Sequence, residues 1–290
     1  MAKAIAVQAF NKVDSILRTL ESIARARGSS SYDLFILQDG CSGSNHTEKY
    51  RAAWAETSQA LQSWICSNRG HFASLHFESS DRNNGPYRTA ERLITWALDT
   101  SNSVVFSEDD LIFECDALEW FERALAHPMF LCQNVWAIAG ESRFFDSYRH
   151  VPSTTDVHRA LEIAHTGHLI DRFVYFDFLP SSCFATIPEK WAEFGSIRGT
   201  TRGDRAVVDR CVAEGKVCFW PVIARCRDRG MHHPLGYSVR WKGLHHTAFK
   251  NSYVVSGMLK PATGDLTELS SDQKDALLHE FTRHWELLNP

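Results

Sequence analysis

The chain predicts an α/β fold in which a mostly parallel central sheet is flanked by helices and adjoined by a smaller subregion. Three observations carry that expectation. Short apolar runs at residues 5–9, 34–37 and 104–107 alternate with longer stretches whose apolar residues recur every three or four positions. Turn-forming residues punctuate the junctions, as in Gly28-Ser29-Ser30-Ser31 and Asn84-Gly85-Pro86. Two of the apolar runs end in acids, Asp39 and the trio Glu108-Asp109-Asp110. Open parallel sheets collect ligands just beyond the carboxyl ends of their strands.

Each element has a local reason. Residues 5–9 form a first strand closed by Phe10-Asn11, and Ile16, Leu17, Leu20, Ile23 and Ala24 then recur at helical spacing, with Asn11 or Asp14 to cap them. Residues 34–37 form a buried second strand that ends at Gln38-Asp39-Gly40. A helix over 46–64 and a strand over 73–77 follow. Pro86 sits where a helix begins, and Leu93, Ile94, Ala97 and Leu98 are its buried stripe. Residues 104–107 form the fourth strand. Asp116 and Glu119 read as a capping box for the helix that holds Trp120, Phe121 and Leu125, stopped by Pro128. Residues 135–139, 182–187 and 217–223 predict further strands, 204–214 a helix ended by Gly215, and 145–175 long loops. Leu277, Leu278, Phe281 and Trp285 mark a terminal amphipathic helix. One domain is expected over 1–245, with an extension over 246–290 packed on it.

Composition narrows the function. The 290 residues are 44% hydrophobic and 23% charged, enough for a sizeable core without disulfides. The eight cysteines include no CxxC pair, which predicts reduced thiols. A net charge of −4 argues against a nucleic-acid-holding protein. No apolar run approaches the roughly 20 residues that span a bilayer. A soluble cytoplasmic protein is therefore expected, with peripheral contact at the inner membrane face as an option.

The acidic trio is the strongest chemical signal. Three carboxylates at the end of a buried strand repel one another and lose hydration unless a cation meets them. A hard divalent ion, Mn²⁺ or Mg²⁺, completed by phosphate oxygens would satisfy them. Were the strand to continue, Glu108 and Asp110 would point one way and Asp109 the other. Asp110 is the candidate metal ligand, with Glu108 or Asp109 toward ribose or metal-bound water; a solvated helix cap is the plainer reading. Asp39 offers hydrogen-bond acceptance to a nucleobase or ribose, or belongs to an ordinary Asp-Gly turn. Phe10, after the first strand, is a nucleotide-side candidate, and Arg88, near the start of a helix, could meet phosphate or belong to a solvated helix face. Asp204 opens a helix and so serves as a general base or as a cap. Arg225 and Arg229 could neutralise a diphosphate, and His232 or His233 could complete a metal shell.

With these residues in view, the chain resembles GT-A-fold, Rossmann-like glycosyltransferases. It is most similar to the N-acetylglucosaminyltransferase I type and more loosely to inverting bacterial transferases. The resemblance covers residues 4–245. It maps a uracil-reading acid onto Asp39, the manganese-binding last acid of a Glu-Asp-Asp triplet onto Asp110, and the catalytic base onto Asp204. A segment from Phe178-Leu179-Pro180 to Trp191 looks like the acceptor and donor-sugar region, so Pro180 and Trp191 become sugar-side candidates. The chain departs from the family pattern at the base, where Gly203 precedes Asp204 and paired acids are common.

The resemblance implies an inverting, metal-dependent glycosyltransferase. It would move a hexosyl or N-acetylhexosaminyl group from a nucleotide-diphosphate sugar, UDP-linked by analogy, to a glycan-type acceptor on the smaller subregion. A sugar-nucleotide-forming nucleotidyltransferase, a non-catalytic sugar-nucleotide-binding module and a retaining transferase are the alternatives. The first usually carries a Gly-rich basic loop after strand one, which Phe10-Asn11-Lys12 is not.

Overall fold

The computed structural model describes residues 2–43, 50–142, 171–177, 179, 181–200, 203–228, 235 and 265–276. Its strands are β1 (Lys3–Ala9), β2 (Asp33–Gln38), β3 (Ser74–Ser79), β4 (Ser103–Ser107), β5 (Leu111–Phe113), β6 (Val135–Ala139), β7 (Arg172–Phe176), β8 (Cys183–Thr186), β9 (Val217–Pro221), β10 (Cys226–Asp228) and β11 (Thr267–Glu268). Nine of them make one sheet in the order β11-β7-β9-β6-β8-β4-β1-β2-β3. The half containing β4, β1, β2 and β3 is wholly parallel. In the other half β8 runs against β4 and β6, and β7 against β9. A separate antiparallel ribbon joins β5 to β10.

The helices are α1 (Val13–Arg25), α2 (Arg51–Asn68), α3 (Pro86–Leu98), α4 (Ala117–Leu125), α5 (Pro188–Arg198) and α6 (Gly203–Glu214). They cover both faces, and the alternation of strand side chains explains the division. Ile5, Val7, Leu34 and Ile36 share one core with Ile16 and Leu20 of α1, Leu61 of α2 and Trp120 of α4. Ala4, Ala6, Phe35 and Leu37 share the other with Leu93 of α3, Phe194 of α5 and Val207 of α6. Period-two burial on both faces is why the central strands read as continuous apolar runs. The expected α/β architecture is present.

Several local expectations change. The 145–175 loop assignment ends early, because β7 begins at Arg172. Neither Asn11 nor Asp14 caps α1: its N-cap is Lys12, which makes no side-chain cap hydrogen bond. Asp116 stands at the N-cap of α4 without a side-chain cap bond; its carboxylate instead lies 3.2 Å from Nε of Arg225. Burial explains that choice, because a cation inside the core must find an anion. The eight cysteines form no disulfide. From the C-terminal extension, β11 adds an edge strand beside β7, and Leu266 and Leu269 are buried. The terminal helix, expected to start near Ser271, is present over 271–276, and its apolar residues Leu277, Leu278, Phe281 and Trp285 lie outside the described residues.

One carboxylate ties the nucleotide-side loops together. Asp39, buried after β2, accepts from the backbone N–H of Gly40 at 3.0 Å, Asn84 at 2.9 Å and Gly85 at 2.9 Å, and from Nδ2 of Asn83 at 3.0 Å. Burial pushes this carboxyl upward, and the N–H groups of Asn84 and Gly85 pull it back. A carboxylate has about four lone-pair sites, and these donors fill them. The reading of Asp39 as a direct base or ribose contact therefore gives way to a loop-closing role. Gly40 is required sterically: a Cβ there would lie 2.5 Å from the backbone carbon of Arg82. Asp39→Ala should lower stability by about 2–3 kcal/mol, read as an earlier urea midpoint, with faster amide exchange at Asn84 and Gly85. An unchanged midpoint and unchanged exchange would remove this role.

Candidate functional site

The acids sit in a corner. β4 ends at Ser107, the chain turns at 109–110, and β5 leads away from the sheet. Three contacts hold the corner: the Glu108 N–H donates to the Ser182 carbonyl at 2.9 Å, the Phe113 N–H donates to Oγ of Ser22 on α1 at 3.0 Å, and β5 pairs with β10. Because the strand stops before the acids, the alternation expected for Glu108, Asp109 and Asp110 does not hold. Asp109 and Asp110 converge instead, each only 6% exposed.

They converge on Lys12. Its ammonium lies 2.7 Å from Oδ1 of Asp109 and forms a second, shorter ion pair with Oδ2 of Asp110. β1 and β4 are parallel neighbours with Val7 opposite Ser107, so the loops that follow both strands leave the sheet on one side. Burial disfavours the Lys12 charge, but the two carboxylates more than reverse that and raise its pKa. Asp109 is pushed up by burial, against the pull of Lys12 and of the Phe10 N–H. The two rises have different causes, ion pairing for Lys12 and burial for Asp109. The group holds two carboxylates and one ammonium, so its field is net negative.

That field, and one atom, fit a further cation. Oδ1 of Asp110 is buried and accepts no hydrogen bond among the described residues. An orphaned carboxylate oxygen in a net-negative corner is a hard donor suited to Mn²⁺ or Mg²⁺. Among the described residues no group of three or more His, Cys, Asp or Glu could hold a metal. From the described residues a metal would thus receive one or two carboxylates. His232 and His233 lie outside the described residues, as do Arg229 and Pro180.

The remaining candidates divide between this corner and the core. Phe10 is half-buried at the end of β1, its ring edge-on to Tyr50 with centroids 6.2 Å apart. Its carbonyl accepts from Nε2 of Gln38 at 3.1 Å. Arg88 is exposed on the first turn of α3. Glu108 is half-buried and its carbonyl accepts from Oγ of Ser107 at 2.8 Å. Arg225, expected to neutralise a diphosphate, is 2% exposed, donates to the Ile223 carbonyl at 2.7 Å and lies over the Trp120 ring. It is a core cation paired with Asp116. Trp191, expected at the sugar, packs edge-on to Phe194 and donates to Oγ1 of Thr95 at 3.1 Å, joining α5 to α3.

Asp204 is the second residue of α6, and the residue before it shows how the helix start is set. Gly203 has φ +35°, and a Cβ there would lie 2.2 Å from the Tyr87 ring on α3. A second acid at that position has no room, which accounts for the departure from the paired-acid pattern. Lys12 is the residue of this corner that sequence reasoning passed over. Its only signal was a lone cation following the strand that, in a parallel sheet, ends beside the acidic one.

No protein-family model matches the chain, and no curated protein matches it in sequence. Solved structures do resemble it. TarS 1–349 of S. aureus in complex with UDP-GlcNAc aligns over 99% of this chain and 73% of its own, at 14% identity and a TM-score of 0.50. TarS 1–349 by itself aligns over 80% of this chain and 61% of its own, at 11% identity and a TM-score of 0.49. The mannosyltransferase PcManGT from Pyrobaculum calidifontis, in complex with GDP-Man and Mn²⁺, aligns over 96% of this chain and 68% of its own, at 15% identity and a TM-score of 0.48. The chain thus spans between 61% and 73% of the lengths of these proteins. At such identities the likeness is one of architecture. This chain shares with TarS a GT-A-like α/β fold, a mostly parallel sheet flanked by helices.

Proposed function

We propose that the protein transfers a sugar from a nucleotide-diphosphate donor, UDP-linked in our reading, to a hydroxyl of a glycan-type acceptor with inversion at the anomeric carbon. The observation that carries this is the corner itself: Lys12, Asp109 and Asp110 at the carboxyl ends of two parallel strands, with one Asp110 oxygen left for a ligand. Supporting it is the fold shared with TarS, solved in complex with UDP-GlcNAc.

In this reading Phe10 lies along the nucleoside, and Asp39 shapes the loop from Asn83 to Gly85 without touching the base. Lys12 and Arg88 offer cations to phosphate oxygens, Lys12 as a compact point charge on a flexible stem. Asp110, assisted by Asp109, would hold Mn²⁺ or Mg²⁺, which when bound supplies charge neutralisation for the departing diphosphate. Glu108 faces the ribose side. Asp204, at the start of α6, takes the proton from the acceptor hydroxyl as that oxygen attacks the anomeric carbon from the face opposite the diphosphate. A carboxylate at a helix N-terminus is held as the anion, the state a base requires. His232 or His233 would complete the metal shell, Arg229 would neutralise the diphosphate, and Pro180 is the sugar-side candidate. Among the described residues no helix is long and apolar enough to cross a membrane.

Two substitutions test the assignment. Asp204→Asn should leave UDP binding within about twofold while reducing transfer by roughly 10²–10⁴-fold, the usual range for removal of a general base; a variant near wild-type turnover eliminates Asp204 from that role. Asp110→Asn should abolish any gain in thermal stability produced by Mn²⁺ together with UDP, and transfer should fall with it. Full activity in this variant at saturating Mn²⁺ would refute Asp110 as the ligand. Product anomer analysis by NMR checks the stereochemistry: retention would reject the direct displacement.

A further inference from the structure

We infer that Lys12 is a resident cation that makes divalent-metal binding conditional on the nucleotide. The acid corner takes up Mn²⁺ or Mg²⁺ only together with a diphosphate. This deepens the function proposed above and rests on it.

The argument starts from charge. Lys12 already bridges Asp109 and Asp110, so each acid has given one oxygen to the ammonium. A divalent ion arriving alone would meet a single remaining Asp110 oxygen with the Lys12 charge immediately beside it. Like charges that close repel strongly in a half-dry corner, and one protein oxygen is few for an ion that takes six. A diphosphate alters both conditions. Its oxygens can complete the ion's shell, and its negative charge gives the ammonium another partner.

Geometry allows that exchange. Lys12 is the N-cap of α1, and its side chain makes no cap hydrogen bond. The positive end of a 13-residue helix therefore lies at the same corner as the ammonium, where a phosphate would be favoured. A lysine stem can turn its charge from carboxylate to phosphate without moving the backbone. As Lys12 turns, Oδ2 of Asp110 and Oδ1 of Asp109 are released to the ion. Metal and nucleotide thus bind as one unit, and by linkage each must strengthen the other by the same factor.

The test is Mn²⁺ binding to the full chain, followed by loss of the free-ion electron paramagnetic resonance signal, without nucleotide and with saturating UDP or GDP. Wild-type protein should bind Mn²⁺ at least about tenfold more tightly with a nucleotide than without. Lys12→Met should bind Mn²⁺ alone, with the advantage of added UDP largely lost, whereas Lys12→Arg should keep the wild-type coupling. Equal Mn²⁺ affinity with and without nucleotide in the wild type, at a site abolished by Asp110→Asn, would overturn the inference and leave the transferase reading standing. Failure to bind Mn²⁺ under every condition, while UDP still raises the melting temperature, would overturn both the inference and the metal role. If Lys12→Met does not fold, the wild-type titrations decide the matter alone.

Discussion

The structure turns on three buried charges where β1 and β4 end. Two aspartates and one lysine could not be taken out of water singly. Together they are tolerable, because the ammonium lies within hydrogen-bond reach of both carboxylates. Removing one member of such a buried pair typically costs about 3–5 kcal/mol, a large part of a fold's total of about 5–15 kcal/mol. Much of the surrounding architecture serves to hold these groups. The parallel register of β1 and β4 brings the two loops to one edge, Ser22 of α1 anchors β5, and β10 pairs with β5 from the far side.

Two acids that look alike in the chain have opposite fates, and hydrogen-bond supply decides between them. Asp39 accepts the Gly40 N–H of its own turn, and the neighbouring loop presents two backbone N–H groups and an asparagine amide, so its oxygens are engaged by the protein itself. Asp110 follows a strand whose neighbouring loop presents one ammonium and leaves an oxygen over. The first carboxylate makes structure, and the second can make chemistry. A similar contrast separates cations. Arg225 is buried in the core and engaged by Asp116, whereas Lys12 is only partly buried, so a ligand could compete for it.

Much of the fold was legible in the chain. Residues 5–9, 34–37 and 104–107 are apolar at all positions but Gln8 and Ser107 because both faces of a central strand are buried, and Pro86 and the apolar stripe at Leu93, Ile94 and Ala97 marked α3. The acidic trio announced a cation for a sound electrostatic reason. Which cation it met was not legible, because Lys12 is 97 residues from Asp109 and only strand order brings them together. Trp191 was read toward the sugar from its place in an ordered segment, yet helical spacing with Phe194 turned it inward between α5 and α3. Capping residues misled where a tertiary partner outbid the local one, as Arg225 did for Asp116.

By itself the sequence determined the alternation of strands and helices, the double-sided burial of the central strands and the presence of uncompensated acid at a strand end. These follow from local periodicity and from the cost of burying charge, which act within a few residues. Only the tertiary structure decided that Asp109 and Asp110 converge, that Lys12 stands between them, that Asp39 is closed by its own loops and that Gly203 must yield to Tyr87. Those outcomes depend on which strands become neighbours and where each stops. Hydrogen-bond donors and charges distant in the chain meet only once the sheet is assembled.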